Sequence, residues 1–193
     1  MNLLKDKIAL VTGGSRGLGR RTALLFAEEG ATVIFTDLQE NDSSRELLAE
    51  LQKMQPRSMF IASNAADYED TLRVADIVQK EFGRLDVLVN NAGVSMIRML
   101  TDTNDALWEH VISSNLSSAF YCIRAAIPHL LKNRDREDIP STAPCGVILN
   151  ISSVWGCSGA SCEAAYSASK AGLNGLTEAL AKELAPSRIA VNA

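Results

Sequence analysis

The chain has 193 residues, of which 47% are hydrophobic and 22% are charged, and its formal net charge is −4. These values exclude a disordered chain and predict one globular domain over residues 1–193. They also exclude the basic surface that nucleic-acid binding needs. No apolar run is long enough to cross a membrane, and charges at positions 5–7 interrupt the stretch where a secretory signal would be apolar. The sequence therefore predicts a cytoplasmic protein with neither a nucleic-acid nor a membrane partner.

Apolar strand patterns alternate with helical patterns along the chain. The strand patterns cover residues 7–12, 31–36, 58–62, 85–89, 146–151 and 188–193. The helical patterns cover residues 18–29, 42–53, 68–82, 104–131 and 163–185. Residues 132–145 are charged and then rich in Ser, Thr and Pro, which predicts a surface loop. The alternation predicts a doubly wound parallel sheet between two helical layers, a three-layer α/β/α Rossmann fold.

The cysteines predict reduced thiols and no metal centre. They form no CxxC pair, and the chain has only two histidines that could join them as ligands. A structural zinc site is therefore not expected at Cys122, Cys145, Cys157 or Cys162.

A glycine-rich turn joins the first predicted strand to the first predicted helix. Residues 12–19 read TGGSRGLG, and glycines let the backbone approach a pyrophosphate that the helix N-terminus stabilises. Because the spacing is GxxxGxG rather than GxGxxG, an ordinary glycine-rich turn is the alternative. The residues of this turn that we expect to bind a dinucleotide are Gly13, Ser15, Arg16, Gly17, Leu18 and Gly19.

Two charged residues give opposite indications about the cofactor. Asp37 ends the second predicted strand, where a carboxylate can accept hydrogen bonds from an adenosine ribose and repel a 2′-phosphate. Arg16 could instead pair with that phosphate, or it could be a solvated surface charge. The sequence favours NAD(H), with NADP(H) as the alternative.

A phenol and an ammonium stand one helical turn apart. Tyr166 and Lys170 occupy positions i and i+4, which places both side chains on one helix face. Ser153 follows the strand pattern 146–151, whose carboxyl end faces the ligand crevice of a parallel sheet. The fold can therefore bring the three together, although Ser153 alone also fits a loop cap and Tyr166 alone an amphipathic core position.

These residue types suit hydride transfer at a carbonyl. The carbonyl oxygen gains a proton when hydride arrives, and an alcohol gives one up when hydride leaves. Free tyrosine titrates near pH 10, so it needs a neighbouring positive charge to stabilise the phenolate at neutral pH. We expect Tyr166 to act as acid and base beside Lys170, and Ser153 to position the substrate oxygen.

Five ordered blocks resemble the short-chain dehydrogenase/reductase family over essentially the whole chain. They are TGGSRGLG at 12–19, NNAG at 90–93, SSNL at 113–116, ISS at 151–153 and YSASKAG at 166–172. The resemblance implies an NAD(P)-dependent oxidoreductase that interconverts a ketone and a secondary alcohol. It implies that Asn115 joins the catalytic set and binds a water of the proton path. It also implies cofactor contacts at Asn64, Ala65, Asn91, Ala92, Gly93, Tyr166 and Lys170.

Within that family the sequence most resembles bacterial 3-oxoacyl-[acyl-carrier-protein] reductases, which implies a small or carrier-bound carbonyl substrate. Residues 155–163 also resemble a bacterial subgroup that includes aminopentanone reductases of modified elongation factor P. A non-catalytic dinucleotide-binding module is the alternative from another class, because the C-terminal part usual in the family is missing. The apolar helical segments 107–131 and 173–184 predict a homo-oligomer, which is in part an implication of the resemblance.

The last predicted strand reaches the final residue of the sequence. A sheet that stops there has an unpaired edge, and the wall that holds the nicotinamide is absent. From the sequence we therefore expect residues 1–193 alone to bind cofactor weakly and turn over negligibly, and a longer chain to be active.

Overall fold

A computed structural model describes residues 2–193 as a parallel sheet of six strands with helices on both faces. The strands are β1 (Ile8–Thr12), β2 (Thr32–Asp37), β3 (Met59–Ala62), β4 (Val87–Asn90), β5 (Gly146–Asn150) and β6 (Ile189–Asn192). The helices are α1 (Gly17–Glu28), α2 (Asp42–Met54), α3 (Tyr68–Phe82), α4 (Asp105–Ile112), α5 (Ser118–Leu131), α6 (Trp155–Ser158) and α7 (Ala164–Leu184).

The strand order is β3-β2-β1-β4-β5-β6, and every neighbouring pair is parallel. The chain moves outward from β1 to β3, returns to β4 beside β1, and then moves outward in the other direction. This reversal opens a crevice at the carboxyl ends of β1 and β4, where ligands bind in sheets of this type. The doubly wound α/β/α fold predicted from the sequence is confirmed.

The core has two parts, one on each face of the sheet. Alternate residues of each central strand point to opposite faces, so Leu10 and Ile34 belong to one cluster while Val11 and Phe35 belong to the other. All four side chains are buried. Cys122 packs in the first cluster, and burial raises the pKa of its thiol to about 12.

The long helical stretch predicted over residues 104–131 is present from Asp105 to Leu131, but a π-helical turn interrupts its α-helical geometry. α4 ends at Ile112, a π-helical turn follows over Ser113–Ser117, and α5 then begins. The Ser118 amide donates to the carbonyl of Ser113, five residues earlier. The extra residue in this turn places the Asn115 side chain inside the protein, where it has partners of its own.

Other boundaries differ slightly from the sequence prediction. Residues 132–145 form the expected loop, without helix or strand. The four-residue helix α6 has no counterpart in the prediction, because so short an element carries too little periodicity to be detected. Pro186 lies in a 3₁₀ turn over Ala185–Ser187 that ends α7.

Candidate active site

An open cavity of about 430 Å³ lies at the carboxyl ends of the strands. The segments that follow β1, β2, β3, β4 and β5 all contribute to its wall, together with the first turns of α7. Twelve of the residues predicted from the sequence line it: Gly13, Arg16, Gly17, Leu18, Asp37, Asn64, Ala65, Asn91, Ala92, Gly93, Tyr166 and Lys170. The tertiary structure thus gathers these distant residues around one space.

Four predicted residues do not line this cavity: Ser15, Gly19, Asn115 and Ser153. Ser15 and Gly19 are buried in the β1–α1 turn and its first helical turn. Asn115 is buried behind the cavity wall, and Ser153 lies in the turn before α6.

Close packing explains why two positions around the β1–α1 turn are occupied by glycine. Gly13 has a φ of +63°, and a Cβ there would lie 2.9 Å from the Cα of Ala92. A Cβ on Gly19 would lie 2.4 Å from the carbonyl oxygen of Gly13. The turn therefore has room only for backbone at these points, and the N-terminus of α1 opens toward the cavity.

The Asn91 side chain holds this turn to the end of β4. Its Nδ2 donates to the carbonyl oxygens of Thr12 and Gly13 at 2.9 and 2.8 Å. In return, Thr12 Oγ1 accepts hydrogen bonds from the amides of Asn91 and Ala92 at 3.1 and 3.0 Å. Sequence reasoning missed Thr12, because its partners lie about eighty positions further along the chain.

Asp37 lies at the end of β2 and faces the cavity beside the glycine turn. Its carboxylate accepts hydrogen bonds from the amides of Ser15 at 3.3 Å and Leu38 at 2.9 Å. Arg16, on the same rim, is exposed. Both charges that the sequence analysis weighed are therefore present at the cavity.

Lys170 is buried at the base of the cavity, with 5% of its surface exposed. Its Nζ donates to the carbonyl oxygen of Ile151 at 2.7 Å and lies 5.6 Å from the centre of the Tyr166 ring. Burial lowers the pKa of Lys170, because the charged form loses hydration there. The arrangement sets an ammonium close to a phenol that faces the open space.

Asn115 links the π-helical turn to two other segments. Its Oδ1 accepts from the amide of Val94 at 2.7 Å, and its Nδ2 donates to the Val94 carbonyl at 2.9 Å and to Ser169 Oγ at 3.1 Å. A Cβ on Gly93 would lie 2.8 Å from this Oδ1 and 3.8 Å from Lys170 Nζ. The side chain of Asn115 therefore fixes the segment after β4 next to Lys170.

The segment that follows β4 and the segment around α6 contact each other beside the cavity. The amide of Arg98 donates to the carbonyl of Cys162 at 2.7 Å, and Ser95 Oγ donates to Glu163 Oε1 at 3.2 Å. Both loops carry exposed apolar side chains: Ile97, Met99, Leu100, Val154 and Trp155. The sequence places these residues in two loops, and only the fold brings the loops into contact.

Comparison with known proteins gives the family. The family model for short chain dehydrogenases matches residues 7–193. The chain belongs to the short-chain dehydrogenase family. Members of this family are oxidoreductases that act on CH–OH and C=O groups with NAD(P), so the family and the class of enzyme expected from the sequence are confirmed.

Curated relatives and a solved structure agree with this assignment. A 3-oxoacyl-[acyl-carrier-protein] reductase of Staphylococcus aureus is 40% identical over 187 residues, which are 97% of this chain and 72% of the relative. A cyclopentanol dehydrogenase of Comamonas sp. is 35% identical over 192 residues, covering all of this chain and 72% of the relative. A solved structure described as a short-chain alcohol dehydrogenase from Sinorhizobium meliloti is 36% identical with a TM-score of 0.89, covering 98% of this chain and 71% of that one.

Within residues 2–193, no helix has the length and apolar character needed to span a membrane. The same residues contain no group of His, Cys, Asp and Glu side chains that could hold a metal ion.

Proposed function

We propose that this short-chain dehydrogenase interconverts a ketone and a secondary alcohol, with Tyr166 carrying the proton. The observation that supports this role most directly is the buried Lys170 ammonium, 5.6 Å from the Tyr166 ring at the base of the cavity. A nearby positive charge stabilises a phenolate, which lets a tyrosine give and take a proton near neutral pH. Ser153 is proposed to donate a hydrogen bond to the substrate oxygen, and Asn115 to hold the proton path beside Lys170.

The cavity suits a dinucleotide. A Cβ on Gly17 would meet nothing within 4 Å, so the turn is open to a pyrophosphate at that point, and the buried Ser15 Oγ has no hydrogen-bond partner among residues 2–193. A hydroxyl without a partner at a helix N-terminus fits a phosphate oxygen. In this proposal the turn residues hold the pyrophosphate, Asp37 holds the adenosine ribose, and Asn64 and Ala65 lie beside the adenine. The nicotinamide, when bound, supplies or accepts the hydride.

The proposed substrate is a 3-oxoacyl thioester or a similar ketone with an apolar chain, and not a strongly polar carbonyl compound. The proposed location of the reaction is the cytoplasm. The apolar side chains on the two outer loops favour an aliphatic substituent next to the carbonyl. The names of the relatives point to both 3-oxoacyl and cyclic ketone chemistry. The aminopentanone reductase alternative rests only on residues 155–163, and no contact of these residues favours it.

Turnover assays with two ketones test the proposal. The purified protein, in a form that continues past residue 193, is mixed with NADH or NADPH and a 3-oxoacyl thioester or cyclopentanone, and consumption of the reduced cofactor is followed by absorbance. We expect consumption that depends on the ketone. Cofactor binding without turnover of either ketone would instead support a non-catalytic dinucleotide-binding module.

We propose NAD(H) as the preferred cofactor, because Asp37 would meet a 2′-phosphate with a like charge. Asp37→Ala is expected to lower the affinity ratio of NADH to NADPH about tenfold, which corresponds to ~1.4 kcal/mol. Arg16→Ala is the matched variant of opposite sign and is expected to raise the ratio. Fluorescence titration with NADH and with NADPH measures this affinity ratio. Clearly tighter NADPH binding by the unaltered protein would contradict the preference for NAD(H).

We also propose a homo-oligomer formed through α4 and α5, which keep the large side chains of Trp108, Phe120 and Leu131 exposed by 36–45%. Leu173 and Leu184 of α7 pack into the core of their own chain, so they do not contribute to this surface. Phe120→Glu is expected to convert a dimer or larger assembly into monomers in light scattering. Leu25→Glu, at a comparably exposed position of α1, is the control; equal masses for all three proteins would contradict the proposal.

A further inference from the structure

The Asn174 side chain contacts both ends of the short segment that carries Ser153. Its Oδ1 accepts a hydrogen bond from Ser152 Oγ at 2.5 Å, and its Nδ2 donates to Cys157 Sγ at 3.7 Å. Between these two contacts, the Ser153 hydroxyl accepts a hydrogen bond from the amide of Trp155 at 3.2 Å. One amide of α7 thus bridges the two ends of the turn in which Ser153 lies.

The same face of α7 also holds the strand that leads to Ser153. Lys170 Nζ donates to the carbonyl of Ile151 at 2.7 Å, and Thr177 Oγ1 accepts from Asn150 Nδ2 at 2.8 Å. Lys170, Asn174 and Thr177 stand at positions i, i+4 and i+7, which form one stripe of a helix. Each member of the stripe therefore contacts a different one of residues 150–152.

α6 leaves the Asn174 amide little freedom. A Cβ on Gly156 would lie 2.9 Å from Asn174 Nδ2 and 2.8 Å from the carbonyl carbon of Lys170. α6 has only four residues, too few to be stable by itself, so its place depends on such contacts. Asn174 is therefore a fixed point between α7 and the turn.

We propose that Asn174 is a positioning residue that holds the Ser153 hydroxyl, relative to Tyr166, in the position for its hydrogen bond to the substrate oxygen. This rests on the proposed function, in which Ser153 donates to the substrate oxygen. Without the amide, the outer end of the turn loses its side-chain contact with α7, and the exposed Cys157 is free to move. A displacement of about 1 Å in a positioned group is enough to lower a rate by roughly 100-fold.

A double-mutant cycle with Ser153 tests the proposal. Asn174→Ala is expected to lower kcat for the ketone by about 10- to 100-fold, while the Kd of the cofactor changes less than about twofold. In an S153A background, N174A is expected to cause no further loss, because the group that Asn174 positions is already gone. Asn174→Asp keeps an acceptor for Ser152 Oγ but loses the donor to Cys157 Sγ, so it is expected to lower kcat less than Asn174→Ala does.

Asn133→Ala is the matched control. Asn133 is also a buried link between segments, since its Nδ2 donates to the carbonyls of Leu85 and Cys145, but it lies at the opposite, amino end of β4 and β5. We expect N133A to lower thermal stability, with any loss of kcat the same in both backgrounds. If N174A does not fold, Ser152→Ala removes its main bond and takes its place in the cycle.

The outcomes separate the two proposals. A loss of kcat from N174A that is equal with and without Ser153 would overturn the positioning role. If the unaltered protein turns over no ketone, the proposed function itself fails.

Discussion

Tyr166→Phe is expected to lower kcat for ketone reduction by about 100- to 10,000-fold, which is the range for loss of a positioned acid or base. The substitution keeps the aromatic ring that lies beside Lys170 and removes only the hydroxyl, so the fold and the cavity remain. Cofactor affinity is expected to stay within about threefold of the unaltered protein, because the glycine turn and Asp37 do not depend on the phenol. Steady-state kinetics and a cofactor titration measure the two effects separately.

Tyr121→Phe supplies the control for removal of a phenol. Tyr121 lies on α5, where its ring packs against those of Tyr68 and Phe120, and it does not line the cavity. We expect full turnover from this variant. Near-normal turnover by Y166F would refute Tyr166 as the proton carrier.

Lys170→Ala is expected to impair both turnover and cofactor binding. Removal of the ammonium takes away the charge that stabilises a phenolate at Tyr166, which we expect to reduce kcat by at least about 100-fold. We propose that this ammonium also binds the ribose of a bound nicotinamide, and loss of a charge-assisted hydrogen bond weakens binding by about 10- to 100-fold. The residual rate of alcohol oxidation by K170A is expected to rise with pH, because Tyr166 must now lose its proton without the positive charge of Lys170 beside it.

Lys182→Ala is the matched variant, since Lys182 is an exposed lysine in the last turn of the same helix. It should leave kcat, cofactor affinity and the pH profile unchanged. If K170A lowers only the thermal stability, and its kinetics match those of K182A, Lys170 serves the fold and not the reaction.

Much of the fold follows from local patterns in the sequence. The strand at 7–12 and the helix at 68–82 are short segments whose apolar spacing fits one element type, and the structure places β1 and α3 there. The Tyr166–Lys170 pair is visible for the same reason, because residues four apart share a helix face wherever the helix lies. Right-handed crossovers then leave few ways to arrange parallel strands, so the doubly wound class follows from the alternation.

The features that the sequence did not reveal depend on partners far along the chain. The π-helical turn accompanies Asn115 bonds to Val94 and Ser169, which are 21 and 54 positions away. No local pattern distinguishes that turn from the continuous helix predicted over residues 104–131, because tertiary contacts such as these distant bonds can override local helix propensity.

The candidate site likewise combines features set by the sequence with features set by the fold. The sequence by itself determined which chemical groups are present: the glycine turn, Asp37, Ser153, Tyr166 and Lys170. Only the tertiary structure decided that Asn91 holds the turn, that Lys170 is buried against the Ile151 carbonyl, and that Asn174 bridges the segment around Ser153. The physical reason is that residue type and short spacing are properties of the chain, whereas burial and long-range hydrogen bonds exist only after the sheet and its helices have packed.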